Sequence, residues 1–127
     1  MRVILLRLAF GLLLLVMSAG NSFSSDPKKA WAAYEAGDFG TALRVFNELA
    51  AQGDSNAQYN LGMMYAFGQG VVQNNVYAHM WWGFAALSGD SDAASYRDFL
   101  AKGMSSEDIS RAQELARECV RKKYTGC

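Results

Sequence analysis

Two stretches of this chain repeat each other at an offset of 36 residues. The first runs from Ala42 to Ala57, the second from Ala78 to Ala93. Ala42 aligns with Ala78, Phe46 with Trp82, Ala50 with Ala86, Gly53-Asp54-Ser55 with Gly89-Asp90-Ser91, and Ala57 with Ala93. Repetition at this period marks a stacked array of helical units, each too small to bury its apolar face alone. Such arrays mostly present a concave surface to a partner. The repeat therefore points to binding, without naming what is bound.

The punctuation between apolar runs predicts helices throughout. Pro27 sits where a first helical turn tolerates it, and apolar spacing becomes helical from Lys28. Gly37-Asp38 stops that helix and caps a second, which carries Ala42, Val45, Phe46, Leu49 and Ala50 on one face. Gly53-Asp54 repeats the device for a third helix with Ala57, Leu61, Met64 and Tyr65. Gly68-Gln69-Gly70 is a loop, and Asn74 or Asn75 caps a fourth helix with Ala78, Trp81, Trp82 and Ala85 inward. Gly89-Asp90 starts a fifth, near Ser91 to Lys102. The last begins at Ser105, with Asp108 three residues on as in a capping box. Ile109, Ala112, Leu115, Ala116, Cys119 and Val120 form its apolar face, and Arg111, Glu114, Arg117, Glu118 and Arg121 its solvated one. A terminal amphipathic helix is what a repeat stack needs to cover its exposed end. No stretch after the leader reads as a strand.

The beginning of the chain has a different character. Arg2 and Arg7 precede an apolar run from Leu8 to Met17 and the small residues Ser18-Ala19-Gly20, the three-part pattern of a cleaved secretory signal. The run is short for a membrane span, which needs roughly 20 apolar residues. Residues 1–20 are expected to be the signal peptide, with cleavage after Gly20, Ser22 or Ser24. Residues 21–29 are expected to be a flexible leader, and 30–127 one small repeat domain. The exported product would be periplasmic or secreted.

Charge narrows the choice of partner. The chain has 12 basic and 12 acidic residues; without Arg2 and Arg7 the net charge is −2. From Ala30 to Ser110 there are three basic residues (Arg44, Arg97, Lys102) and nine acidic ones, net −6. A nucleic-acid binder needs a basic stripe to meet phosphates, so no nucleic-acid partner is expected. The cluster Arg121-Lys122-Lys123 closes a helix, where positive charge complements the helix dipole.

Candidate chemistry is sparse. Cys119 and Cys127 are the two cysteines, and an even count in an exported chain favours an internal disulfide; an intermolecular bridge or two free thiols are the alternatives. His79 is the single histidine. It aligns with Leu43 and lacks a nucleophile or carboxylate pair in any recognisable pattern, so no catalytic residue is assigned. Asp54, Asp90 and Asp92 lack calcium-loop spacing, and capping explains Asp54 and Asp90 more simply. Neither a metal nor a cofactor is expected.

The block Ala57-Gln58-Tyr59-Asn60-Leu61-Gly62-Met63-Met64-Tyr65, followed by Gly68-Gln69-Gly70-Val71, Ala78, Trp81, Ala85-Ala86 and Gly89, resembles the Sel1-like repeat family, relatives of the tetratricopeptide repeats. Ala33-Tyr34-Glu35-Ala36-Gly37-Asp38-Phe39 resembles the tighter tetratricopeptide turn. Met104 to Ile109 with Ala112-Gln113 looks like the closing helix of short exported bacterial members. The resemblance implies an all-α solenoid: α/α hairpins in a right-handed superhelix, about two and a half of them, plus a C-terminal capping helix. It also implies a non-catalytic protein-binding adaptor in envelope or signalling complexes. By the same resemblance the first helix of each hairpin lines the concave side. That places Trp31, Tyr34, Asn56, Tyr59, Met63 and Phe67 as candidate partner-binding residues, with Tyr59 and Phe67 expected to be the more exposed. Trp82 is expected in the core; Trp81, which aligns with Val45, could be buried or exposed. Two other readings are carried. One is an envelope hydrolase, directed at wall material or a β-lactam, using Asp54, Asp90 or Asp92. The other is a structural subunit that self-associates weakly.

Overall fold

The structure, a computed structural model, describes residues 25–127. The expected signal peptide lies outside the described residues. Six helices follow in order: α1 Pro27–Glu35, α2 Phe39–Ala51, α3 Ser55–Phe67, α4 Asn75–Leu87, α5 Ser91–Ala101 and α6 Ser106–Arg121. Pro27 to Lys29, assigned to the leader by sequence, form the first turn of α1.

Each helix starts where a side-chain oxygen can take an otherwise unpaired backbone N–H. Asp38 accepts from Thr41 N at 3.2 Å, Asp54 from Ala57 N at 3.0 Å and Asp90 from Ala93 N at 3.0 Å. Asn74, rather than Asn75, caps α4 through Val76 N and Tyr77 N. Ser105 caps α6 through Asp108 N. The equivalent Gly53 and Gly89 have φ of 86° and 95°, a left-handed turn that a side chain would strain. The two-residue stop-and-cap is thus one physical device used at both repeat junctions.

The helices pack as a layered stack. α1 pairs with α2 and α3 with α4, α2 lies on α3, and both α5 and α6 pack on α4. This is an all-α repeat of two hairpins, a half unit and a closing helix. The main core gathers Val45, Phe46 and Leu49 of α2, Leu61 and Met64 of α3, Met80, Trp81 and Phe84 of α4, and Cys119 of α6. A second core joins Ala78, Trp82 and Ala85 to Ala93 of α5, with Tyr59, Met63 and Leu100 against it. Adjacent residues on a helix point about 100° apart. Trp81 and Trp82 accordingly enter different cores, and both are buried.

The docking of α6, which the sequence left open, is onto α4, and one detail of the helix departs from the sequence reading. Val120, assigned to its apolar face, is 52% exposed, because Ala112 and Cys119 already define the buried line. The C-terminal tail then turns back. Cys119 and Cys127 form a disulfide, and the Tyr124 ring meets Phe84 edge-on at 5.1 Å. The intermolecular and free-thiol alternatives do not apply to this structure.

Candidate interaction surface

Asn56, Tyr59, Met63 and Phe67 recur at spacings of three and four residues, which puts them on one side of α3. Their exposure differs. Phe67 is 64% exposed and Asn56 is open to solvent. Tyr59 and Met63 are half-buried against the second core. The expectation that Tyr59 is among the freer residues is therefore corrected: its ring lies 6.0 Å from that of Tyr96, a partner on α5 that the sequence reading left out.

On α1 the two predicted residues come together. Trp31 and Tyr34 stack at 5.4 Å with a 13° angle between ring planes. Tyr34 Oη donates to Gln69 Oε1 at 2.8 Å, tying the first hairpin to the loop after α3. Trp31 remains nearly half exposed. Aromatic pairs of this kind contribute about 0.5–1.5 kcal/mol beyond burial, which favours the stacked arrangement.

Helix α5 adds two residues that the sequence reading missed. Phe99 is 74% exposed and Tyr96 is 44% exposed. Phe99 falls 36 residues after Met63, the same offset as the repeat, and that alignment was the available signal. Tyr96 stacks on Trp82 at 5.4 Å. Together with Asp92, Ser95, Asp98 and Lys102 these residues line a shallow depression on α5. Burial, the neighbouring Tyr96 and the carboxylates of Asp92 and Asp90 hold the Tyr59 phenol above its ordinary value of 10.0, so it stays protonated and able to donate. The first helix of each unit thus contributes apolar or aromatic side chains at least partly open to solvent, bordered on α5 by acidic groups. Such side chains are enriched at protein interfaces.

A second concavity lies between α4 and α6. His79, Met80, Gly83, Phe84, Leu87, Arg97, Ala112, Gln113 and Ala116 line it. His79 is half-buried; burial first, then the Arg97 charge, push the imidazole below its ordinary 6.5, with Asp98 opposing. It is neutral at pH 7. The lining contains no hydroxyl, thiol or carboxylate that could complete a nucleophile–base pair. Among the described residues no group of three or more potential ligands could hold a metal. Asp54 and Asp90 are occupied as helix caps.

Residues 55–90 match the Sel1 repeat family. The match covers the α3–α4 hairpin. The match begins at the first residue of α3 and ends at Asp90, the cap of α5. Repeats of this kind are generally protein–protein interaction modules without catalytic machinery. No curated protein matches the chain. Among the described residues no helix is long and apolar enough to cross a membrane.

Proposed function

We propose that this chain is an exported, non-catalytic adaptor that binds another protein through the side chains presented by α1, α3 and α5. The observation that carries this reading is the placement of Trp31, Phe67 and Phe99, large apolar residues left exposed on the first helices of the successive units of a stack built around a Sel1 repeat. Aromatic side chains are enriched at protein interfaces, and these three recur on the first helix of each successive unit. Export rests on the Arg2/Arg7, Leu8–Met17 and Ser18-Ala19-Gly20 pattern and on the Cys119–Cys127 disulfide, a bond that persists in oxidising compartments.

The test is capture of envelope proteins by the tagged mature protein beside a Trp31→Ala/Phe67→Ala variant. These two positions are chosen because truncation there leaves both cores intact. A specific partner held by the wild type and lost by the folded variant supports the adaptor. A partner held equally by both removes this surface from the account. Intact mass of the exported protein tests the export reading, and retention of residues 1–17 contradicts it.

A further inference from the structure

Arg97 occupies a position that the repeat reserves for the core. At the 36-residue offset it aligns with Leu61, which is fully buried. A guanidinium cannot be buried there without a partner. Next to it, α6 packs on α4 and not on α5 as α4 packs on α3, and a cleft of about 320 Å³ remains between α4 and α6. Its walls are Met80, Phe84, Ala112 and Ala116. The Arg97 stem runs beside Gly83, where a Cβ would make an ordinary contact with Cδ at 3.9 Å. Residues that break a local folding rule tend to mark functional sites.

The charge at this cleft runs against the rest of the repeat region. Arg97 is one of three basic residues between Ala30 and Ser110, and no acidic residue lines the cleft. Asp98 beside it engages only one edge of the guanidinium, Nε at 3.0 Å and Nη2 at 2.9 Å, through the single oxygen Oδ1. The other edge, Nη1, has no hydrogen-bond partner among the described residues. Arginine presents five donors in a fork that matches a carboxylate. His79 stands at the same cleft with an N–H to give.

We propose that the cleft binds an amphipathic monocarboxylate, a medium-chain fatty acid anion, with its chain along Met80, Phe84 and Ala116 and its carboxylate at Arg97. Size favours this class. Taking about 30 Å³ per small heavy group, the share of a water molecule in the liquid, the cleft accommodates roughly ten such groups, or one short acyl chain. Small-molecule sites typically start at about 300 Å³ and combine apolar walls with a few convergent polar groups. This site is separate from the surface proposed for protein binding, and each can fail alone.

The experiment uses His79 as reporter, because a single histidine gives one unambiguous imidazole signal in NMR. The purified protein is titrated with decanoate below its micelle-forming concentration, and in parallel with decanol and with decyltrimethylammonium. Saturable one-to-one movement of the His79 signal is expected with decanoate, at least tenfold weaker with decanol and absent with the cation. Arg97→Gln should weaken decanoate at least tenfold while leaving decanol unchanged. Ala116→Phe, which fills the cleft, should abolish both. An unmoved His79 signal in the wild type overturns the proposal without any variant. Equal response to decanoate and decanol, or to wild type and Arg97→Gln, also overturns it, because the carboxylate site is then not there.

Discussion

The indole of Trp82 lies on the backbone of Gly62. A Cβ built on Gly62 would overlap the ring and sit 2.8 Å from its Cγ. The contact lets α3 and α4 approach closely. Trp82 Nε1 then donates to Tyr59 O at 3.2 Å. One glycine therefore sets both the depth of the tryptophan and the anchoring of the helix that carries Tyr59.

Gly62→Ala should cost about 1–3 kcal/mol through overpacking, despite the better helix propensity of alanine. Trp82→Phe, a smaller ring, should relieve part of that cost. A double-mutant cycle by urea denaturation measures the coupling. Additive losses would mean the two residues are not in contact.

The Cys119–Cys127 bridge, at a sequence separation of 8, closes a short loop. Lys123 and Tyr124 within it have φ of 53° and 61°, left-handed values that cost non-glycine residues roughly 1–2 kcal/mol each. The bridge and the Tyr124–Phe84 contact hold them there. Cys127→Ala should lower stability by about 2–3 kcal/mol and free the tail while α6 stays on α4. Unfolding midpoints with hydrogen exchange of Tyr124 and Thr125 check this; protection unchanged in the variant would show that the bridge is not what holds the tail.

Stability should fall as pH drops below about 6.5. The His79 pKa is held down by burial and by Arg97, with Asp98 opposing. A depressed histidine binds fewer protons folded than unfolded, so its contribution is present above the unfolded pKa and lost as pH falls through the folded one. His79→Leu, the residue at the aligned position 43, should flatten the slope between pH 6.5 and the onset of carboxylate titration. Urea midpoints at several pH values test it, and an unchanged slope in the variant would assign the effect elsewhere.

Much of this architecture was legible because the repeat carries its own punctuation. Asp38, Asp54 and Asp90 cap the helices they were expected to cap, and the apolar faces of α2, α3 and α4 are the buried ones. The closing helix was legible as a helix but not in its docking. Its own pattern cannot choose between α4 and α5; the structure places it on α4, next to Arg97, a charge in a core register. Tyr59 was misjudged for a related reason: its cover comes from Tyr96, on a different helix. At the surface, Trp31, Tyr34 and Phe67 were candidates through the family resemblance, which assigns the first helix of each hairpin to the concave side; the structure leaves Trp31 and Phe67 exposed. Phe99 required carrying the repeat offset one unit further.

The central claim is that the first helices of the units form the partner-binding surface. Photo-cross-linking in the producing cell tests it most directly, with benzoylphenylalanine placed at position 67, at position 31, or at position 120 on the exposed side of α6. The account predicts one protein adduct of defined mass from positions 67 and 31 and none from 120. An adduct from 120 alone, or none from 67 and 31, would contradict it.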